Sequence, residues 1–269
     1  MKYLDIHTHA FPDELAPRAI AGIEKFTGDI KPLTNGTVKD LARVMDEGGV
    51  NVSVIASIAT KPAQFEPILR WSEEIMSERI VPFASIHPAC DRFEEKVASV
   101  VRSGIRGLKI HPFYQGLAAD DPKWFPLYDA AQSASLPILF HAGFDVAFGK
   151  QDLAHPYRFR TIRNNFPKLK FVMAHMGGWL AYEDFLADMR GEDVMIDTSC
   201  SAGICPVETA KKILSRVGAE NILFGTDCPW GGARKHIRFV EDFCPDEKSR
   251  ELIFHHNAER LLGVTVPEI

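Results

Sequence analysis

Tyr3-Leu4-Asp5-Ile6-His7-Thr8-His9 decides the reading of this chain. A short run able to form a strand ends in two histidines two places apart. Side chains two apart on a strand point to one face, so His7 and His9 can present two imidazole nitrogens to one ion at the strand end. By the same alternation Asp5 shares that face but lies deeper. It is read as a hydrogen-bonding group of the strand layer, or as a partner behind the ligands, and not as a ligand.

Seven further strand-like runs follow, at residues 52–57, 80–87, 105–111, 137–141, 169–175, 194–198 and 222–227. Several are almost continuously apolar, as parallel strands covered by helices are. Helical patterns at 15–26, 37–45, 62–77, 93–101, 125–134, 156–165, 179–189 and 206–217 lie between or after them, and two more, 236–243 and 246–262, close the chain. Thr37 reads as a helix N-cap, Gly48-Gly49 as that helix's stop, and Asp91 as the cap of the helix near 93. This eightfold alternation predicts an α/β fold, a closed (β/α)8 TIM barrel, with residues 1–269 as a single domain. The rival open sheet lacks its glycine-rich phosphate loop, since strand 1 runs into His7-Thr-His-Ala-Phe-Pro12.

Composition narrows the function. Forty-six per cent of the 269 residues are apolar, enough for a sizeable core, and 25% are charged. A formal charge of −5 offers no footprint for nucleic acid or an anionic membrane. The sequence shows no signal-like opening and no apolar run of spanning length, so the expected compartment is the cytoplasm. Cys90, Cys200, Cys205, Cys228 and Cys244 are odd in number and form no CxxC pair. They read as free thiols or loop residues, with Cys200 and Cys205 the weak case for a ligand pair.

The chemistry-bearing residues fall at predicted strand ends. Lys109 and His111 end the fourth run, His141 the fifth, His175 the sixth and Asp227 the eighth, with His87 on the third. Barrel active sites are assembled at the C-terminal strand ends from several strands, so these side chains are expected to ring one mouth. Imidazole and carboxylate ligands suit Zn²⁺, and also Mn²⁺, Fe²⁺ or Co²⁺. Such an ion lowers the pKa of bound water and polarises a carbonyl. An unliganded histidine beside it supplies acid–base chemistry near neutrality. Phe11, Phe113, Tyr114, Phe144, Phe148 and Trp230 follow strand ends and could wall a ring-binding pocket. Arg234 could grip a carboxylate or simply begin a solvated helix.

Asp5-Ile-His-Thr-His9, Gly107-Leu-Lys-Ile-His-Pro112, Phe140-His-Ala-Gly143, the segment 166–178, Gly225-Thr-Asp-Cys-Pro229 and Asn257-Ala-Glu-Arg-Leu-Leu-Gly263 together resemble the amidohydrolase superfamily. The closer resemblance is to its aminocarboxymuconate-semialdehyde decarboxylase-like branch, which holds decarboxylases, hydratases and hydrolases. The resemblance implies that His7, His9, His141 and Asp227 bind one zinc ion. It implies that His175 is catalytic beside it, with Asp227 also moving a proton. Two-metal members of the superfamily carry a carboxylated lysine, which would be Lys109 here. The other readings of Lys109 are neutralisation of Asp227 or a grip on a substrate carboxylate. His111 is either a substrate contact or structural. Trp230 departs from the branch, where a histidine often follows the proline.

The expected activity is hydrolysis of a small ester, amide or lactone by metal-activated water. The alternatives are non-oxidative decarboxylation of an aromatic or unsaturated acid, hydration of such an acid, and a metal-binding domain without activity. The expected partner is a small molecule, a carboxylic acid among the candidates. The resemblance alone implies a homodimer.

Overall fold

The computed structural model describes residues 1–28, 30–190 and 194–268. The apolar runs become β1 (Leu4–Thr8), β2 (Val52–Ala56), β3 (Ile80–Phe83), β4 (Leu108–Ile110), β5 (Ile138–Phe140), β6 (Phe171–Met173), β7 (Met195–Asp197) and β8 (Ile222–Leu223). Between and after them lie α1 (Ala16–Glu24), α2 (Val38–Gly48), α3 (Phe65–Ile75), α4 (Phe93–Arg102), α5 (Phe125–Ser133), α6 (Pro156–Asn165), α7 (Tyr182–Asp188), α8 (Val207–Val217) and α9 (Ala233–Phe243). The chain closes with α10 (Glu247–Glu251), a π-helical turn over Leu252–His256 and α11 (Asn257–Leu262).

Every strand pair is parallel, in two ladders, β1-β2-β3 and β4 through β8. Two seams join the ladders into a (β/α)8 barrel. Ala84 donates to the Gly107 carbonyl at 3.1 Å and accepts from Lys109 at 2.8 Å. On the other side Ile6 donates to Phe224 at 2.9 Å and Asp227 to His7 at 2.8 Å. Closure leaves no sheet edge, which removes unpaired backbone donors and acceptors.

Two apolar layers hold this frame. Leu4, Ile6, Val54, Phe83, Leu139 and Val172 fill the barrel, and Ala258 and Leu262 of α11 pack into the same cluster. A larger shell, with Leu108, Ile110, Phe140, Met173 and Phe224, packs against the helices. Thr37 caps α2 as expected, accepting from the Asp40 amide, and Gly49 ends it at φ 72°. That left-handed angle is the one glycine adopts without a Cβ clash.

Three expectations are corrected. The regular strands stop short of the predicted ends, because the chain leaves the ladder where loops begin, so His111, His141, His175 and Asp227 lie one to four residues beyond. Asp91 does not cap α4: Arg92 takes the cap position in a left-handed turn, φ 50°, with no side-chain cap bond. Asp5 does not share His7's face, because the β1 register shifts between Asp5 and Thr8. Asp5 instead lines a cavity with Leu41 and Met45 of α2, and accepts from Thr226 Oγ1 at 2.6 Å and from the His7 amide at 3.1 Å. It is a hydrogen-bonding group of the strand layer, as one of the two sequence readings had it.

Candidate metal centre

β1 delivers its two histidines to the C-terminal rim, where β8 delivers Asp227. His9 Nε2 lies 3.0 Å from Asp227 Oδ1 and His7 Nε2 lies 3.6 Å from the same oxygen. Zinc-to-nitrogen and zinc-to-oxygen distances of about 2.1 Å set tetrahedral ligand atoms about 3.4 Å apart. The observed spacings bracket that edge, and all three ligand atoms lie within 4.8 Å of one another. This donor set fits a divalent ion.

The far nitrogens of both histidines are anchored. His9 Nδ1 is 3.1 Å from the Ala56 carbonyl, an acceptor that fixes the proton there and leaves the Nε2 lone pair toward Asp227. His7 Nδ1 donates to Asp197 Oδ2 at 2.9 Å. Asp197 Oδ1 also accepts from the His175 amide at 3.0 Å, the Ser199 amide at 2.9 Å and the Ser199 hydroxyl. The strand-end reading passed over Asp197. Its signal was a lone acidic residue closing an otherwise apolar strand, which is costly to bury unless it is bonded.

His175 sits beyond β6 at φ 61°, its Nδ1 3.1 Å from the Ser199 carbonyl and 2.9 Å from Ser199 Oγ. Its Nε2 is 3.1 Å from His141 Nδ1. Lys109 is fully buried, with Nζ 2.9 Å from His7 Nε2. His141 lines the same cavity floor as His7, His9, Lys109, His175 and Asp227. His141 Nε2 is 2.9 Å from the Phe144 carbonyl, and His141 also lies close to His111 and to Asp145, a residue that sequence reasoning did not single out. The rings of His111 and His141 stack 4.2 Å apart.

The sequence profile of the family described as Amidohydrolase matches residues 5–264. The chain belongs to that family. No curated protein sequence matches this amidohydrolase. Among solved structures it is similar to an uncharacterised TIM-barrel protein from Bordetella bronchiseptica. The TM-score is 0.74 at 18% identity, over 98% of this chain and 99% of that one. A probable 2-pyrone-4,6-dicarboxylic acid hydrolase from Acinetobacter baumannii, with citric acid bound, gives a TM-score of 0.70 at 19% identity, covering 98% and 100%. A dihydroxybenzoic acid decarboxylase from a Polaromonas species, with manganese and the inhibitor 2-nitroresorcinol bound, gives 0.71 at 16% identity, covering 97% of each chain. These likenesses show the fold.

Burial sets the electrostatics of the amidohydrolase site. It pushes His7 down to about 4, with the Lys109 ammonium adding to the effect, so the ring is neutral and Nε2 carries the lone pair, facing Lys109 Nζ and Asp227. It also holds His175, His111 and His141 below the usual histidine range. Burial lowers Lys109 to about 8, against the pull of Asp227 and Asp197. Burial would raise Asp227 and Asp197, but His7 and the bonds around each outweigh it, and both stay carboxylates.

A cavity of about 610 Å³ opens onto this floor. Its walls are largely apolar, from Phe11, Leu15 and Phe26 on the β1 side to Trp71, Trp179 and Trp230. Of the aromatic residues that follow strand ends, Phe11, Tyr114 and Trp230 line this cavity and Phe113, Phe144 and Phe148 do not. Nor does Arg234, which lines a separate cavity and donates to the Glu47 carbonyl at 2.8 Å at the end of α2. Arg18 is the arginine that lines the cavity. Among the described residues no helix is long and apolar enough to cross a membrane.

Proposed function

We propose that this amidohydrolase is a divalent-metal-dependent lyase that removes CO₂ from a small aromatic or unsaturated carboxylic acid. The observation that carries the reading is the contrast inside one cavity. A floor of His7, His9, Asp227 and Lys109 meets walls built from tryptophan, phenylalanine and leucine. An aromatic acid places its ring against such walls and its carboxylate on such a floor.

His7, His9 and Asp227, with His141 on the same cavity floor, would hold one divalent ion. When bound, that ion supplies Lewis acidity for a carboxylate or phenolate oxygen. Lys109 Nζ adds a buried positive charge beside His7. His175 carries the proton. It lines the cavity with its Nδ1 held by the Ser199 carbonyl, which places it to act as the general acid. The proton passes to the substrate carbon as the carbon–carboxylate bond breaks, giving the protonated product and CO₂, and solvent reprotonates His175.

Hydrolysis of an ester, amide or lactone is the second reading. Asp227 favours it, since a carboxylate held in its ionised form beside the ion can take a proton from water. Purified protein loaded with Zn²⁺ or Mn²⁺ and offered dihydroxybenzoates, unsaturated acids and lactones separates the two. CO₂ release without incorporation of oxygen from labelled water supports the lyase. Incorporation without CO₂ overturns it.

A further inference from the structure

We infer that the acid taken by this site carries an apolar body longer than a single ring, running from the polar floor along α1 to the mouth of the cavity. The inference rests on the lyase reading above for the carboxylate end alone. The apolar end rests on the walls.

α1 is an extra helix, set in the connection between β1 and α2. It carries apolar residues on two faces, where a surface helix ordinarily carries one. Ala16 and Ile20 are buried. Leu15, Ala19, Ile23 and Phe26, spaced four, four and three apart, form a second stripe along the helix and its flanks. The Phe26 amide continues the turn by donating to the Ile23 carbonyl at 2.9 Å. All four line the cavity, and none joins an apolar core cluster of the described residues. Leu15 and Phe26 are 53% and 48% exposed. Ile30, from the same connection, and Val146, from the loop after β5, also line the cavity and are exposed. Of the ten large apolar side chains exposed among the described residues, these four rim one opening. Single exposed apolar residues are ordinary, but a set converging on one opening marks a binding surface for apolar groups.

Size points the same way. At the packing density of organic crystals, a benzoate fills about a quarter of the 610 Å³. A lone ring on the floor leaves the stripe and the facing Ile68 and Trp71 wet, whereas a longer apolar body takes them out of water. Among the described residues Arg18 is the one arginine or lysine on the walls above the floor, and it is exposed. It can meet an incoming carboxylate but not hold a second one out of water, so the body beyond the ring is uncharged.

The test is isothermal titration of the full-length protein, metal-free and zinc-equilibrated, with benzoate, 4-ethylbenzoate and 4-butylbenzoate. Each buried methylene should tighten binding by about three- to fourfold, and the butyl acid should bind about 10²-fold tighter than benzoate. Leu15→Ser and Phe26→Ser, both at exposed positions, should each cut that ratio several-fold. Equal affinities along the series overturn the inference. So does 4-butylbenzyl alcohol binding as tightly as 4-butylbenzoate, which would leave the acid end without a role. A dimer in light scattering that Phe26→Asp dissociates, with a flat series, overturns it in favour of a second copy covering the stripe. CO₂ release is read separately. The affinity gradient without CO₂ from any acid keeps the apolar body and removes the lyase, and CO₂ with a flat gradient does the reverse.

Discussion

Replacing Asp197 with asparagine tests whether the carboxylate behind His7 sets the metal affinity. Asp197 Oδ1 accepts from three donors, the amides of His175 and Ser199 and the Ser199 hydroxyl, and Oδ2 accepts from His7 Nδ1. An asparagine that keeps its oxygen at the three-donor position turns its NH₂ toward His7. Two donors then face each other, and His7 must move its proton from Nδ1 to Nε2. The lone pair that faced Asp227 and the ion position is lost. Changes of this kind behind a ligand cost about 10–100-fold in metal affinity, or about 1.4–2.7 kcal/mol. Three charge-assisted bonds also become neutral ones, which should lower the stability of the metal-free protein by about 1–3 kcal/mol.

Two measurements follow: zinc affinity by competition with a chromophoric chelator, and thermal unfolding of the metal-free protein. The sign of the pH dependence is fixed. Asp197's folded pKa lies below the unfolded carboxyl value of about 3.9. Its stabilisation is therefore fully present above that value and fades as pH falls through the folded one. Wild type and variant should differ most at neutral pH and converge on acidification. Unchanged zinc affinity in Asp197→Asn would refute the claim that this bond holds His7 in its metal-ready tautomer.

Three other perturbations follow from the same site. His175→Ala should keep the metal at His7, His9 and Asp227 while turnover falls by about 10²–10⁴-fold; metal analysis showing that ion lost would contradict its assignment as a proton carrier. Lys109, lowered to about 8, loses its charge as pH rises through that value. KM for an acid substrate should therefore climb above about pH 8, and Lys109→Met should abolish that alkaline limb in steady-state kinetics. Arg18→Gln should raise KM for acids a few-fold with kcat little changed, the size expected of a largely exposed ion pair; equal effects on a neutral lactone would remove its role as a carboxylate contact.

The sequence carried the fold because the apolar runs and helical patterns recur at barrel spacing, and each run became a strand. It carried the positions of the site residues because they cluster after those runs. It did not carry their grouping. Asp145 lies in a loop, five residues past the end of β5, where no periodicity points to His111. Asp197 looked like one more strand residue, since a carboxylate's partners here come from β1 and from the loops after β6 and β7. Arg234 was read from its place in the chain, and the carbonyl it meets belongs to a helix far away in sequence.

Alternation itself works for some site residues and fails for others. Lys109 pairs in register with Leu139, a residue of the inner layer, so Lys109 and His111 face inward as a plain strand would place them. On β6, Val172 and Ala174 face inward and Met173 outward, so position 175 should face outward as well. The left-handed φ of 61° turns His175 back into the barrel. On β1, Leu4 and Ile6 face inward, and the register shift is what brings His7 round beside them. Non-glycine residues in that left-handed region cost of order 1–3 kcal/mol unless their surroundings hold them. Asp197 does the holding, through its carboxylate on the His175 amide and its carbonyl on the Met176 amide at 2.7 Å. One buried aspartate thus sets both the proton position on His7 and the backbone turn of His175. The two roles are separable by experiment, because asparagine can keep the bond to the His175 amide while losing the one to His7.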